Sequence, residues 1–152
     1  MTTPLILQEG PPAFVDYTRE SLDRASRAVG GDEPVHMVNL LRFHREAIYE
    51  APGDGREPCS GREAYFHRYA PAFGKIAKGA DYGLVWRGEA RSLVVGPPSE
   101  RWDEIVIVRY ASFSLLRRIM DDPDYALEAD PHRRAAVADW RFILTTQAAP
   151  SR

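Results

Sequence analysis

The sequence contains a single cysteine in 152 residues and has no long apolar run. Because Cys59 has no second thiol to join, the chain can form neither an intramolecular disulfide nor a thiolate cage around a metal. Residues 1–10 lack a basic segment, and their apolar run is too short for a signal peptide. No stretch approaches the length of a membrane span. These absences predict a cytoplasmic protein that does not enter a membrane.

Neither sign of charge predominates in the sequence. The chain has 20 basic and 22 acidic residues, interleaved along its length, for a formal net charge of −2. Without a basic stripe there is no electrostatic surface on which to bind nucleic acid. Hydrophobic residues make up 44% and charged residues 28%, which is typical of a globular domain long enough to bury one core.

Motifs for phosphate and metal binding are missing as well. Gly53-Asp-Gly55 has neither the lysine nor the following helix that a phosphate loop needs. The histidines lack a second histidine or a carboxylate at metal-ligand spacing; they are His36, His44, His67 and His132. The sequence therefore predicts no metal site, no cofactor and no nucleotide.

The patterns of apolar residues predict the secondary structure. A helix is expected over 13–29, where Val15, Leu22 and Val29 share one face. Ser60 and Glu63 form a capping box that begins a helix ending near residue 78. Strands are expected over 35–43, 82–86, 92–95, 104–110 and 141–147, and further helical segments over 112–140.

After its first helix, the chain runs strand–helix–strand–strand–helix–strand, which is the split βαβ order of ferredoxin-like folds. We predict an α+β fold, with a ferredoxin-like βαββαβ antiparallel sheet and an extra N-terminal helix. The expected organisation is a helical extension over residues 1–34, the ferredoxin-like domain over 35–147 and a flexible tail over 148–152.

Two strands are apolar on both alternating faces, whereas two crossover helices can cover only one face of a sheet. Val38, Leu40, Val106 and Val108 form one candidate exposed set, and burial of each such side chain contributes about 1.5–3 kcal/mol. A second copy of the sheet, packed about a twofold axis, would cover that face. The alternative is a monomer in which the N-terminal helix covers it. We predict the homodimer.

Several segments together resemble the domain-of-unknown-function family 1330 over about residues 35 to 147. The resemblance implies the dimeric α/β-barrel superfamily, which includes cofactor-independent monooxygenases, lactone isomerases and haem-handling proteins. The resembled family has no established activity, so it implies fold and assembly only. The segments are Met37-Val-Asn-Leu-Leu-Arg-Phe43, Gly61-Arg-Glu-Ala-Tyr65 with Tyr69, Trp102-Asp103, Met120-Asp-Asp-Pro-Asp-Tyr125, and His132-Arg133 with Ala135.

Asn39, Tyr65, Tyr69 and Trp86 are the main candidates for a pocket. Asn39 is the polar residue of an apolar strand, so it either faces a cavity or forms a structural hydrogen bond. Tyr65 and Tyr69 lie on the inner face of their helix, where they could wall an apolar pocket with Trp86 and donate protons, or simply form core.

Two further candidates carry charge or titrate. Arg109 could anchor an anionic ligand, or it could pair with a carboxylate at the rim of the sheet. His132 is a candidate acid–base group, or a solvent-facing residue near a helix start.

The functional prediction is a homodimer that binds a small organic molecule between sheet and helices. Such a protein could perform cofactor-independent proton or oxygen chemistry with Asn39, Tyr65, Tyr69 and His132 as the candidate catalytic residues. The alternative is a non-catalytic module of the same fold that serves assembly or ligand sensing.

Overall fold

The computed structural model describes residues 12–51 and 56–149. Within them lies a mixed α+β fold with one antiparallel sheet of four strands in the order β2-β3-β1-β4. The strands are β1 (Val35–Phe43), β2 (Tyr82–Glu89), β3 (Glu104–Tyr110) and β4 (Val137–Thr145). The helices are α1 (Arg19–Ala28), α2 (61–76), α3 (Phe113–Asp121) and α4 (125–136).

The first helix begins six residues later than the apolar pattern predicts. Thr18 caps it reciprocally with Ser21: the Ser21 amide donates to Thr18 Oγ1 at 3.0 Å, and the Thr18 amide donates to Ser21 Oγ at 2.8 Å. Before this cap the chain has no regular secondary structure, and the Trp140 amide donates to the Phe14 carbonyl at 2.8 Å. The capping pair, rather than the apolar periodicity, therefore sets the helix start.

Two other boundaries differ from the sequence prediction. Strand β2 continues to Glu89, and the residues after it, where a separate strand was expected, form a loop in which Val94 is 90% exposed. Strand β4 starts at Val137, directly after α4, so Trp140 lies in a strand rather than in a helix. The predicted bounds of β1 and β3 and the Ser60–Glu63 capping box are confirmed.

The strand register decides which side chains share a face. Val106 lies opposite Asn39, and Ile107 lies opposite Val38. Directly paired residues point to the same side of an antiparallel sheet, and Asn39 and Val106 are both buried beneath the helices. The prediction that Val106 and Val108 share the uncovered face with Val38 is therefore wrong.

Helix α1 packs on the same side of the sheet as the other helices. The opposite face, which carries Val38 and Ile107, is called the uncovered face. The buried residue Leu22 of α1 packs into the same core as Phe113 of α3 and Met37 of β1, on the helix side of the sheet. Arg117 of α3 reaches α1, donating to Asp23 at 2.9 Å and to Ser26 at 3.0 Å. All four helices thus lie on one side, and the other side of the sheet has no cover among the described residues.

Candidate functional site

A cavity of about 250 Å³ lies between the helix side of the sheet and helices α2, α3 and α4. Most of its wall is aromatic or aliphatic, and Leu84, which is 63% exposed, lies where the wall meets solvent. The polar side chains in the wall are an amide, a guanidinium and several phenols: Asn39, Arg87, Tyr65, Tyr69, Tyr82, Tyr110 and Tyr125.

Two π-helical segments bring three of these tyrosines into the cavity. The first, Ala64–Tyr69, carries Tyr65 and Tyr69, and the second, Tyr125–Ala129, carries Tyr125. Each segment is followed two residues later by a proline, which cannot donate a backbone hydrogen bond to the preceding turn. Such π-helical turns occur often at functional sites. Here they sit where the helices line the cavity.

Asn39 lines the cavity but is also hydrogen-bonded across the sheet. Its Nδ2 donates to the Val106 carbonyl at 3.1 Å, and its Oδ1 accepts from Trp140 Nε1 at 3.0 Å. These bonds join the central strand to both of its neighbours. The buried amide is thereby satisfied within the protein, as the structural alternative requires.

The phenol hydroxyls differ in their bonding. Tyr69 and Tyr125 share a hydrogen bond of 2.9 Å between their hydroxyls. No hydrogen bond of the Tyr65 or Tyr110 hydroxyl is found within residues 12–51 and 56–149. Burial raises the pKa of Tyr65, Tyr69 and Tyr110 above the usual 10, so each is a neutral donor and not a base. Tyr65 therefore presents an unused donor to the cavity.

At one edge of the cavity, Arg87 binds a buried carboxylate. Its Nε and Nη2 donate to Glu104 at 3.1–3.2 Å, and Arg62 Nη1 lies 2.8 Å from Glu104 Oε1. The Arg87 guanidinium also lies 3.5 Å over the ring of Phe66. Glu104 is 1% exposed, so its charge needs this pairing.

A second buried charge lies behind the tyrosine pair. Arg133, 2% exposed, donates to Asp130 at 2.8 Å and to Asp16 at 3.1 Å. Burial raises the pKa of the Tyr125 hydroxyl, while its bond with Tyr69 and the positive charge of Arg133 oppose that increase. Arg133 is not part of the cavity wall, and its positive charge lowers the pKa of the Tyr125 hydroxyl against the effect of burial.

Three predicted site residues lie elsewhere. Trp86 pairs with Ile107 on the uncovered face and is 51% exposed. Arg109 donates to Asp81 at 3.1 Å, at the rim of the sheet. His132 Nδ1 is 2.8 Å from the Tyr49 hydroxyl, and Arg68 Nη1 donates to that hydroxyl at 3.1 Å. The structure brings together only Asn39, Tyr65 and Tyr69 of the predicted set.

Sequence reasoning missed Arg87, Tyr110 and Tyr125 as cavity residues. Tyr110 lies on the same face of β3 as Val106 and Val108, as their alternate positions indicate. Only the strand register shows that this face lines the cavity. Arg87 looks like an ordinary surface arginine in a strand whose apolar residues are largely exposed. In the ranges that the structure describes, no three metal-ligating side chains cluster and no helix is long and apolar enough to cross a bilayer.

Replacing Asn39 with leucine should lower the free energy of unfolding by about 1–3 kcal/mol, because Trp140 Nε1 loses its buried acceptor. Denaturant unfolding of Asn39→Leu, Trp140→Phe and the double variant measures this. Since the two residues are bonded, the double variant should lose less stability than the sum of the single variants. Unchanged stability in Asn39→Leu would show that the amide bonds contribute little.

The buried tyrosines should make the protein sensitive to base. Above about pH 10 the unfolded chain releases phenol protons that the folded protein retains. The free energy of unfolding should therefore fall by about 1.4 kcal/mol per pH unit for each such tyrosine, and it should not depend on them below that pH. Denaturant unfolding at several pH values, followed by tyrosinate absorbance, tests this. Tyr65→Phe should lessen the slope, and tyrosinate that appears before unfolding would contradict the expectation.

Comparison with models of known protein families finds no match, and no curated protein matches either. Among solved structures, the chain is similar to the crystal structure of RPA0582, a protein of unknown function from Rhodopseudomonas palustris. The identity is 32% and the TM-score 0.77, over 91% of this chain and 100% of that one. The structure of methylated RPA0582 gives 34% identity and a TM-score of 0.78, over 92% and 98%. At this identity and coverage, the protein belongs to the same family as RPA0582.

Proposed function

We propose that this protein is a homodimer of ferredoxin-like domains that binds a small, largely apolar molecule in the cavity between sheet and helices. The observation that carries the proposal is the aromatic cavity of about 250 Å³ with the unbonded hydroxyl of Tyr65 in its wall. Apolar cavities of about 150 Å³ can hold benzene. A cavity of this size therefore suits one ring with a short substituent.

The wall indicates how such a ligand would be oriented. Small-molecule sites are mostly apolar, with a few polar groups that fix the pose. Tyr65 is a neutral donor, so it complements an acceptor oxygen on the ligand, such as a carbonyl. Phe73 and Leu116 offer apolar contact to the ring.

Two observations favour binding or sensing over catalysis. Asn39 is bonded within the protein rather than directed only at the cavity. The described residues that line the cavity also include no histidine, carboxylate or lysine that could act as a base. The second candidate is a cofactor-independent enzyme in which Tyr65 donates a proton, and the unbonded hydroxyl of Tyr65 favours it.

The ferredoxin-like description is supported by the strand order and by the two helical connections between parallel strands. The resemblance to domain-of-unknown-function family 1330 and the cytoplasmic location stay predictions.

The uncovered face of the sheet supports the dimer. It carries apolar side chains from all four strands: Val38, Leu40, Trp86, Ile105, Ile107 and Ile143. A second sheet packed on this face would cover these side chains. A permanent interface of this type buries about 2,000 Å² or more.

Ligand binding is tested with acetophenone, which has one ring and an acceptor carbonyl. We expect chemical-shift changes in NMR spectra to concentrate at cavity residues. Ala70→Phe should abolish binding, because Ala70 lies in the cavity wall and the added ring would occupy the cavity. Ala70 is exposed, so the fold should tolerate the larger side chain. His67→Phe, on the same helix but outside that wall, should bind as wild type does. Binding that survives Ala70→Phe would place the ligand elsewhere.

The dimer is tested by light scattering at micromolar concentration, where the particle should have about twice the 17.1 kDa of one chain. Val38→Glu should leave no stable dimer, because the interface between the two sheets would bury an unpaired charge. Val94→Glu, in an exposed loop, is the matched control and should stay dimeric. A wild-type monomer would refute the homodimer.

A further inference from the structure

We propose that the ligand is a ring compound with one carboxylate, and that Arg87 binds this carboxylate at the edge of the cavity. The inference rests on the proposed ligand binding and names the chemical class of the ligand. It is carried by the charge balance around Glu104 and by the geometry of Arg87.

The cluster at this edge holds more positive than negative charge. Arg62 and Arg87 both contact Glu104, whose side chain is 2% exposed, while their own side chains are 40% and 43% exposed. The neighbouring acid Glu89 is paired with Arg91 at 3.0 Å. One bidentate arginine already neutralises Glu104, so the second guanidinium leaves one net positive charge beside an otherwise apolar cavity.

The guanidinium of Arg87 is held in place, but only two of its three nitrogens donate to Glu104. Nε and Nη2 are occupied by Glu104, and the plane lies over Phe66, which is itself in the cavity wall. Within the described part of the chain, the hydrogen bonds of Arg87 come from Nε and Nη2, which leaves Nη1 for a ligand. A ligand carboxylate would therefore meet an arginine that is already ordered, which reduces the entropy lost on binding.

The remainder of the cavity suits the rest of such a ligand. Phe66, Tyr69 and Phe73 form an aromatic wall beyond Arg87. Arg87 and Tyr65 both line the cavity, so the charged cluster and the unbonded phenol border the same space. Arg87 and Tyr65 together could fix the carboxylate, because guanidinium and phenol groups both donate to its oxygens.

The experiment compares phenylacetate with phenylacetamide, which has nearly the same shape but no charge, in NMR titrations of the full chain. Wild type should bind phenylacetate about tenfold more tightly, as expected for a charge-assisted hydrogen bond. Arg87→Gln should remove that preference. Arg91→Gln makes the same change of charge at an arginine that is 83% exposed and outside the cavity wall, and it should keep the preference.

Arg87→Gln leaves Glu104 with fewer partners and could impair folding. The double variant Arg87→Gln/Glu104→Gln keeps one net positive charge, on Arg62, but lacks the guanidinium that would bind the carboxylate, so it should also bind the two probes equally. Equal binding of the probes by wild type that still binds acetophenone would overturn the carboxylate inference alone. Loss of the preference in Arg91→Gln would also overturn it. A wild type that binds none of the three probes would overturn the proposed ligand binding as well.

Discussion

The central strand β1 is the element on which the other features depend. It pairs with β3 on one side and β4 on the other, and its side chains alternate between a covered and an uncovered face. Because every described helix lies on the covered side, Asn39 of this strand lines the cavity together with side chains of the other three strands. The other face presents Val38 and Leu40 outward. Both the candidate ligand site and the candidate subunit interface thus include residues of this strand.

The cavity remains open because its wall consists largely of rings that are held by other contacts. Tyr69 is bonded to Tyr125, and Asn39 ties Trp140 to the sheet. Rings oriented by hydrogen bonds and by edge-to-face contacts cannot turn freely to fill the space between them. The π-helical segments that hold these tyrosines place three phenols on the same side of the sheet.

The two clusters of buried charge beside the aromatic side chains of the cavity differ in how their charges are paired. Arg133 lies between two carboxylates, Asp16 and Asp130, which Arg134 also binds, so this cluster has equal numbers of cations and carboxylates. Glu104 is one carboxylate between two cations, and one of these, Arg87, belongs to the cavity wall. Isolated charges would be costly at either position, so each is paired. The pairing that leaves a positive excess is the one that borders the cavity.

The sequence alone determined the elements whose signals are local. The bounds of β1 and β3 follow from their apolar runs, and Ser60 and Glu63 fixed the start of α2 by bonding neighbouring backbone amides. Alternation also showed that both faces of two strands are apolar. It could not assign Val106 to the side of Asn39, because that depends on the register between residues 67 positions apart. Only the tertiary structure, which sets such long-range pairings, placed the phenols and Arg87 around one cavity.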